Sequence, residues 1–348
     1  MLSFCEYIWL DGSTPTQNLR NKTRICDFGG KEPNLGQFPE WGYDGSSTNQ
    51  ATGKHSDLIL KPVNFVHDPL RGAGSYLVMC EVLNTDHTPH VTNFRAKLRA
   101  ELERSPKDED ALIGFEQEYT LYQDGRPFGW PESGEPGPQG PYYCGVGADR
   151  MFGRDLVEAH AFACVGANLA IYGTNAEVMP SQWEFQIGYR GFKDEKADPL
   201  TMSDQVWLAR WLLMRLGEDF DITVNWSCKP MKGDWNGAGM HSNFSTRATR
   251  DPGTGWAAIT ALVEALSKHH KEHIAEYGVG LEERLTGLHE TCDINTFRVG
   301  ECDRGASIRI PEPVANKRCG YIEDRRPGAN ADPYRISTRI LKTLHEIK

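Results

Sequence analysis

The 348-residue chain has no C-x-x-C pair, no basic tract, no apolar stretch of membrane-spanning length and no G-x-x-x-x-G-K-[ST] loop. Nine cysteines scattered from Cys5 to Cys319 without ligand-like spacing speak against a zinc site or a disulfide framework and predict reduced thiols. A formal net charge of −10 with no local basic patch argues against nucleic acid as a partner. The opening stretch MLSFCEYIWLDGS shows no basic leader ahead of a cleavage site, so the expectation is a cytoplasmic protein without membrane contact. With no phosphate-cradling glycine loop, any nucleotide has to be held by other means.

At 39% hydrophobic residues the chain can fill one large core or two smaller ones. The first 85 residues alternate turn formers with short apolar runs, RICDFGGKEP, HSDLILKPVNF and GSYLVMCEVLN, and read as a small β-rich unit. The composition shifts near Asp86, and Thr92 or Asn93 is placed to cap a helix reaching about Ser105. This divides the chain into domains 1–85 and 86–348. In the second, helical periodicity marks RDLVEAHAFACVGANLAI, SDQVWLARWLLMRLGEDF, WAAITALVEALSKHHKEHIAEYG and DPYRISTRILKTLHEIK. Between them QWEFQIG and ASIRIP alternate apolar with polar residues, which predicts an α+β class with an antiparallel sheet backed by helices. The segment WPESGEPGPQGPYYCGVGADR is too rich in Gly and Pro for regular structure, and at its length a functional loop is expected.

Within IGFEQEYTLY, residues 113–122, Ile113, Phe115, Tyr119 and Leu121 share one strand face. Glu116 and Glu118 therefore share the other, about 7 Å apart along the chain. Two like charges so placed need water or a cation beside them. Glu177, Glu184, Glu290 and Glu323 supply further acids, and carboxylates converging on one cleft suit more than one hard divalent ion, magnesium or manganese. His241 ends a Gly-x-Gly-x-His spacing in WNGAGMHSNFST, where glycines allow close backbone approach and an imidazole can ligate metal or meet a phosphate oxygen. His269, His270 and His273 lie among lysines and glutamates and are expected on a solvated surface. Arg284, Arg304, Arg309, Arg325 and Arg326 offer donor forks for carboxylate and phosphate oxygens, and Arg309, between Ile308 and Ile310, belongs to the polar face. Acids for metals opposite arginines for oxyanions is what phosphoryl transfer requires. A metal-binding scaffold without turnover would leave the arginines unexplained, and these residues do not name the acceptor.

In chain order, WGYDGSS, FEQEYTL, FGWP, GPQGPYYCGVGADR, GTNAEVMPSQWEFQIG, WNGAGMHSNFST, RLTGLHET, ASIRIP, GYIEDRRP and ANADPY resemble the glutamine synthetase family in its shorter, eukaryotic-like form that also occurs in bacteria. The likeness spans nearly the whole chain. It implies an N-terminal β-grasp domain, a catalytic domain whose strands form a half-barrel, and a homo-oligomer of two stacked pentameric rings with active sites between subunits. It implies ATP-dependent ligation of ammonium to the γ-carboxylate of L-glutamate through γ-glutamyl phosphate, with at least two divalent ions per site. Carried over by position, one metal falls on Glu118, Glu177 and Glu184 and the second on Glu116, His241 and Glu323. Glutamate falls to Trp235, Asn236, Gly237, Arg284, Arg304 and Arg325. Nucleotide falls to Asn243, Ser245, Arg304, Arg309 and Tyr321, together with Glu116 and Glu184. Asp44 of a neighbouring subunit would be the base, and Glu290, on a mobile flap, would help hold ammonium.

Two alternatives share the fold: a γ-glutamyl ligase for a larger amine, and a catalytically silent structural relative. Retention of Asp44 and Glu290 favours ammonium, and the filled metal positions favour activity. The chain departs from the family at DRGAS, where Asn-Arg-Ser-Ala-Ser or Asn-Arg-Gly-Ala-Ser is frequent, so Asp303 sets a negative charge beside Arg304. The preceding FRVGECD departs from a small, apolar pattern. The regulatory tyrosine segment of longer bacterial relatives is not apparent, and no control by adenylylation is expected.

Overall fold

The computed structural model describes residues 2–347. Its N-terminal part is a five-stranded sheet of β1 (Leu2–Leu10), β2 (Leu19–Asp27), β3 (Trp41–Asp44), β4 (Asp57–His67) and β5 (Tyr76–Leu83), ordered β2-β1-β5-β4-β3. The central β1 and β5 run parallel and the other pairs antiparallel. Every residue of β5 is buried, because both faces of the sheet are covered along this strand. Tyr76, Val78, Cys80 and Val82 pack with Tyr7, Trp9, Phe28 and Phe38 in a small core, whereas Leu77 and Met79 join Ile8 and Leu10 in the main core.

Helices α1 (Phe94–Leu102), α2 (Arg154–Gly166), α3 (Pro199–Phe220), α4 (Arg247–Arg250), α5 (Gly255–Lys268), α6 (His270–Glu276), α7 (Leu281–Arg284), α8 (Glu312–Lys317) and α9 (Pro333–His345) follow. The second sheet holds β6 (Leu112–Gln123), β7 (Arg126–Pro127), β8 (Ile171–Ala176), β9 (Gln182–Ile187), β10 (Thr223–Asn225), β11 (Met240–Ser245), β12 (Val299–Glu301), β13 (Ile308–Ile310) and β14 (Ile322–Asp324). Its order is β12-β13-β14-β11-β6-β9-β8, with β7 and β10 also on β6, and only β12–β13 is parallel. This is the α+β half-barrel with an N-terminal β-grasp unit that the sequence leads one to expect. The apolar side of β6, Ile113, Phe115, Tyr119 and Leu121, is buried in the main core, which α3 covers, and that burial, roughly 1.5–3 kcal/mol for each large side chain, holds the opposite face toward the site.

Local chemistry explains the helix ends. The Asn93 side chain accepts from Ala96 N–H at 3.0 Å and starts α1, which stops at Leu102, short of Ser105. Asp198 accepts from the N–H groups of Leu200 and Thr201, with Pro199 in the first helical turn, and starts α3. The long segment 256–278 is two helices joined at His269 rather than one. The histidines there correct a further expectation. His273 is fully buried, between Tyr277 Oη and Thr343 Oγ1 at 2.5 and 2.7 Å, because α9 packs over α6. His270 is half-buried between the Ile294 carbonyl and Arg326; His269 stays partly exposed beside Glu346. The nine cysteines are free thiols, and among the described residues no helix is long and apolar enough to cross a membrane.

Candidate active site

Strand register places the charged side chains. Across β6 and β9 Glu118 faces Glu184; across β6 and β11 Glu116 faces His241; across β13 and β14 Arg309 faces Glu323. Period-2 alternation puts all of them on the face away from the helices. Ligand atoms of Glu116, His241 and Glu323 lie within 4.8 Å of one another, as do those of Glu118, Glu184 and His241. Glu177, immediately after β8, lines the same cavity and accepts from Asn175 at 2.9 Å.

The electrostatics are those of an acidic cluster taken out of water. Burial pushes Glu177 up to about 8, with the charge of Glu118 adding to it. Burial also raises Glu184 well above the usual range, reinforced by Glu116, Glu118 and Glu177. It raises Glu118 as well, against the pull of Arg284 and the Gly239 N–H. His241 is held neutral by burial and by the adjacent Arg325. Arg284 Nη2 donates to His241 Nε2 at 3.2 Å, so Nδ1 is the ring nitrogen turned toward Glu116 and Glu323, at 3.4 and 3.7 Å. A carboxylate set with one imidazole, strained by mutual repulsion, fits hard divalent cations.

Arginines form the other wall. Glu323 is gripped by Arg309 at 2.6 Å and Arg325 at 2.5 Å. A cavity of about 390 Å³ is lined by Glu116, Glu118, Glu177, Glu184 and His241 together with Tyr143, Glu290, Arg304, Arg309 and Arg325. A second hollow of about 540 Å³ adjoins it through Asn243, with Gly114, Tyr172, Gly188, Tyr189, Ser245 and Tyr321 on its walls. Asn243 links the two, donating to Glu116 at 2.8 Å. Among the described residues Asn243 Oδ1 and Arg309 Nε are buried without a partner, an acceptor and a donor whose needs a bound polar ligand would meet. A larger hollow, about 710 Å³ by α4 and α9, is not the better candidate, since its His345 is already engaged by Glu101 and Glu109 at 2.7 and 3.1 Å.

Trp235, Asn236, Gly237 and Arg284 are not among the residues lining this cavity; Trp235 and Arg284 are buried, Asn236 and Gly237 half-buried. Trp235 packs on Trp130 with ring centres 4.9 Å apart. A side chain at Gly237 would come within 2.6 Å of the Cys228 carbonyl and 2.7 Å of Arg284 Cγ, and one at Gly239 would strike the Arg284 guanidinium at 2.3 Å. Only glycine lets this loop pass there. The Arg284 guanidinium also donates to the Arg325 and Arg326 carbonyls. Arg326 is no surface residue: it is fully buried and pairs with Asp324 at 2.6 Å. Asp44 ends β3 in the other sheet, exposed, accepting from the Ser46 and Ser47 hydroxyls at 2.6 Å each, and it is outside the cavity of its own chain. Tyr143, Tyr172 and Tyr189 escaped sequence reasoning; aromatic residues in a loop or on a strand carry no mark of a pocket wall.

Residues 1–85 match the family model described as glutamine synthetase, beta-Grasp domain. A glutamine synthetase of Streptomyces viridochromogenes is 54% identical over 97% of this chain and 94% of its own length. A chloroplastic glutamine synthetase of Chlamydomonas reinhardtii is 53% identical over 97% and 90%, and a glutamine synthetase of Amanita muscaria 50% identical over 97% and 92%.

Proposed function

Because the chain belongs to the glutamine synthetase family and is a glutamate–ammonia ligase using ATP, we propose how its own residues divide that reaction. The carrying observation is the single cavity that sets Glu116, Glu118, Glu177, Glu184 and His241 against Arg304, Arg309 and Arg325. Glu118, Glu177 and Glu184 would hold one divalent ion and Glu116, His241 and Glu323 a second, magnesium or manganese, and the catalytic domain would be residues 86–348. Such ions, when bound, neutralise the carboxylates and polarise phosphoryl oxygens.

ATP would occupy the two adjoining hollows, its base between Tyr321, Tyr172 and Tyr189 with Asn243 and Ser245 as polar contacts, and its phosphates toward Arg309, Arg304, Glu116 and Glu184. Glutamate would be held by the loop Trp235–Gly237 with Arg284, Arg304 and Arg325. Its γ-carboxylate oxygen attacks the γ-phosphorus, ADP leaves, and the guanidinium groups of Arg304 and Arg325 stabilise the charge on γ-glutamyl phosphate. Glu290 would close over this intermediate, exclude water and help retain ammonium. Asp44 of an adjacent subunit would draw ammonium in and take its proton. The Ser46 and Ser47 hydroxyls hold its carboxyl below the usual range, which suits the ionic half of that role most directly. Ammonia then adds at the γ-carbonyl carbon and phosphate departs.

A homo-oligomer of two stacked pentameric rings in the cytoplasm completes this reading. Support for subunit contact comes from Leu2, Phe4 and Ile25, exposed large apolar residues on β1 and β2 of the first sheet. The test is phosphate release from ATP with magnesium, omitting glutamate and ammonium in turn while product amino acids are separated. Dependence on both with glutamine accumulating supports the reading; release sustained only by larger amines would make the chain a γ-glutamyl ligase of another acceptor.

A further inference from the structure

The Gly- and Pro-rich segment between β7 and α2 contains one side chain that reaches both loops bracketing the site. Gln139 Oε1 accepts the Asn236 N–H at 2.7 Å, and Gln139 Nε2 donates to Asn236 Oδ1 at 2.8 Å. Backbone and side chain of Asn236 are thereby fixed together. The same Nε2 lies 3.4 Å from His289 Nδ1. An amide nitrogen only donates, so Nδ1 is the acceptor and the ring proton sits on Nε2. That nitrogen lies 3.4 Å from Asp234 Oδ1. Loop 234–237 and the turn at 287–291 are thus joined at two points.

The turn needs such support. His289 and Glu290 have φ of 51° and 58°, and two consecutive non-glycine residues in the left-handed region persist only where surrounding groups hold them. Thr291 Oγ1 secures one side by donating to the Leu288 carbonyl at 2.7 Å. Asp234 is 98% exposed, so its pair with His289 is screened by water. Gln139 provides the better-shielded link.

We propose that Gln139 is a positioning residue that couples the glutamate loop to the flap bearing Glu290, so that glutamate engaging Asn236 sets the flap before the acyl phosphate forms. This rests on the reading that Asn236 contacts glutamate and that Glu290 shields the intermediate. Without the coupling, water reaches γ-glutamyl phosphate: it adds at the γ-carbonyl carbon, the bond to the phosphate oxygen breaks, and glutamate and inorganic phosphate are returned.

The experiment compares the full chain with Gln139→Met, which keeps the length but has no amide, and with Gln139→Ala. The readouts are glutamine formed per phosphate released, the KM values for glutamate and ATP, and amide hydrogen exchange of residues 287–291 with and without glutamate. Expected are a glutamine-to-phosphate ratio clearly below one, a several-fold rise in glutamate KM, an unchanged ATP KM, and loss of the exchange protection that glutamate confers on 287–291 in the parent protein. A ratio that stays at one with exchange protection intact overturns the inference, as does a parent protein whose flap glutamate does not protect. Glu290→Ala is the control: if it keeps a ratio of one, the role given to the flap is what fails, whereas an uncoupled Glu290→Ala beside a coupled Gln139→Met overturns only the role of Gln139.

Discussion

Arg298 and Asp303 form an ion pair of 2.9 Å across the loop that carries Arg304. Arg298 also donates to the Gly305 carbonyl at 2.6 Å, and Asp303 accepts the Gly305 N–H at 2.8 Å. The segments FRVGECD and DRGAS thus meet through these two side chains, and the charge of Asp303 is answered before it reaches Arg304. Arg298→Ala is expected to raise the KM for ATP a few-fold, and Arg298→Ala with Asp303→Asn to restore it. Both side chains are more than a third exposed, so the coupling should be about 1 kcal/mol or less. Steady-state kinetics on the four-member cycle decide it; additive effects would mean the pair does not shield Arg304.

Arg309 combines a short bond to Glu323 with a buried, unpartnered Nε. Arg309→Ala should lower kcat/KM for ATP roughly tenfold to a hundredfold, the worth of a lost charge-assisted contact, and leave the KM for glutamate nearly unchanged. Kinetics with each substrate varied in turn separate the two.

Glu118 and Glu184 are registered partners that repel one another. Divalent ion should therefore raise the melting temperature, by the equivalent of about 2.7 kcal/mol at a free concentration a hundred times Kd, and chelation should reverse the gain. Glu184→Gln is expected to raise the melting temperature of the chelated protein and to shrink the metal-induced increment. Thermal scans with and without chelator test both signs.

His160 is buried in α2, its Nε2 3.0 Å from the Ala209 carbonyl, and burial pushes it down to about 4. Below pH 6.5 the unfolded chain gains a proton that the folded chain refuses until about pH 4. Its contribution is therefore complete above pH 6.5 and is lost as pH falls through that window, about 3 kcal/mol in all. His160→Asn should flatten the fall in stability between pH 6.5 and 4, measured by denaturant unfolding at a series of pH values.

Gln117 sits on the core side of β6, where alternation calls for an apolar residue. The reason is Arg210 of α3, buried and donating to Gln117 Oε1 at 2.8 Å and to the Ala329 and Ala331 carbonyls at 2.9 Å each. Arg210→Met takes the charged donor from Gln117 Oε1 and the Ala331 carbonyl, leaves the Ala329 carbonyl only its bond from Gln117 Nε2 at 3.0 Å, and should cost about 3–5 kcal/mol in a urea titration.

Alternation exposed Glu116, Glu118, Glu184 and Arg309 because a strand face is a local property. Gln117 was not legible, since the residue that satisfies it lies 93 positions away. His273 misled for the same reason: its neighbours in sequence are Lys and Glu, but its neighbours in space are Tyr277 and Thr343. The β-rich start, the helices and the antiparallel sheet were legible from period and turn chemistry. The end of α1, the break at His269 and the tyrosine walls of the second hollow depend on packing that no window of residues contains.

Asp44 lies outside the cavity formed by its own chain. If an adjacent subunit supplies it, the unit of heredity and the unit of catalysis differ. A chain lacking Asp44 and a chain lacking Arg304, each inert alone, would complement when assembled together, because some junctions would unite an intact loop with an intact cavity. A defective allele would likewise act beyond its own product, silencing sites whose other half is sound.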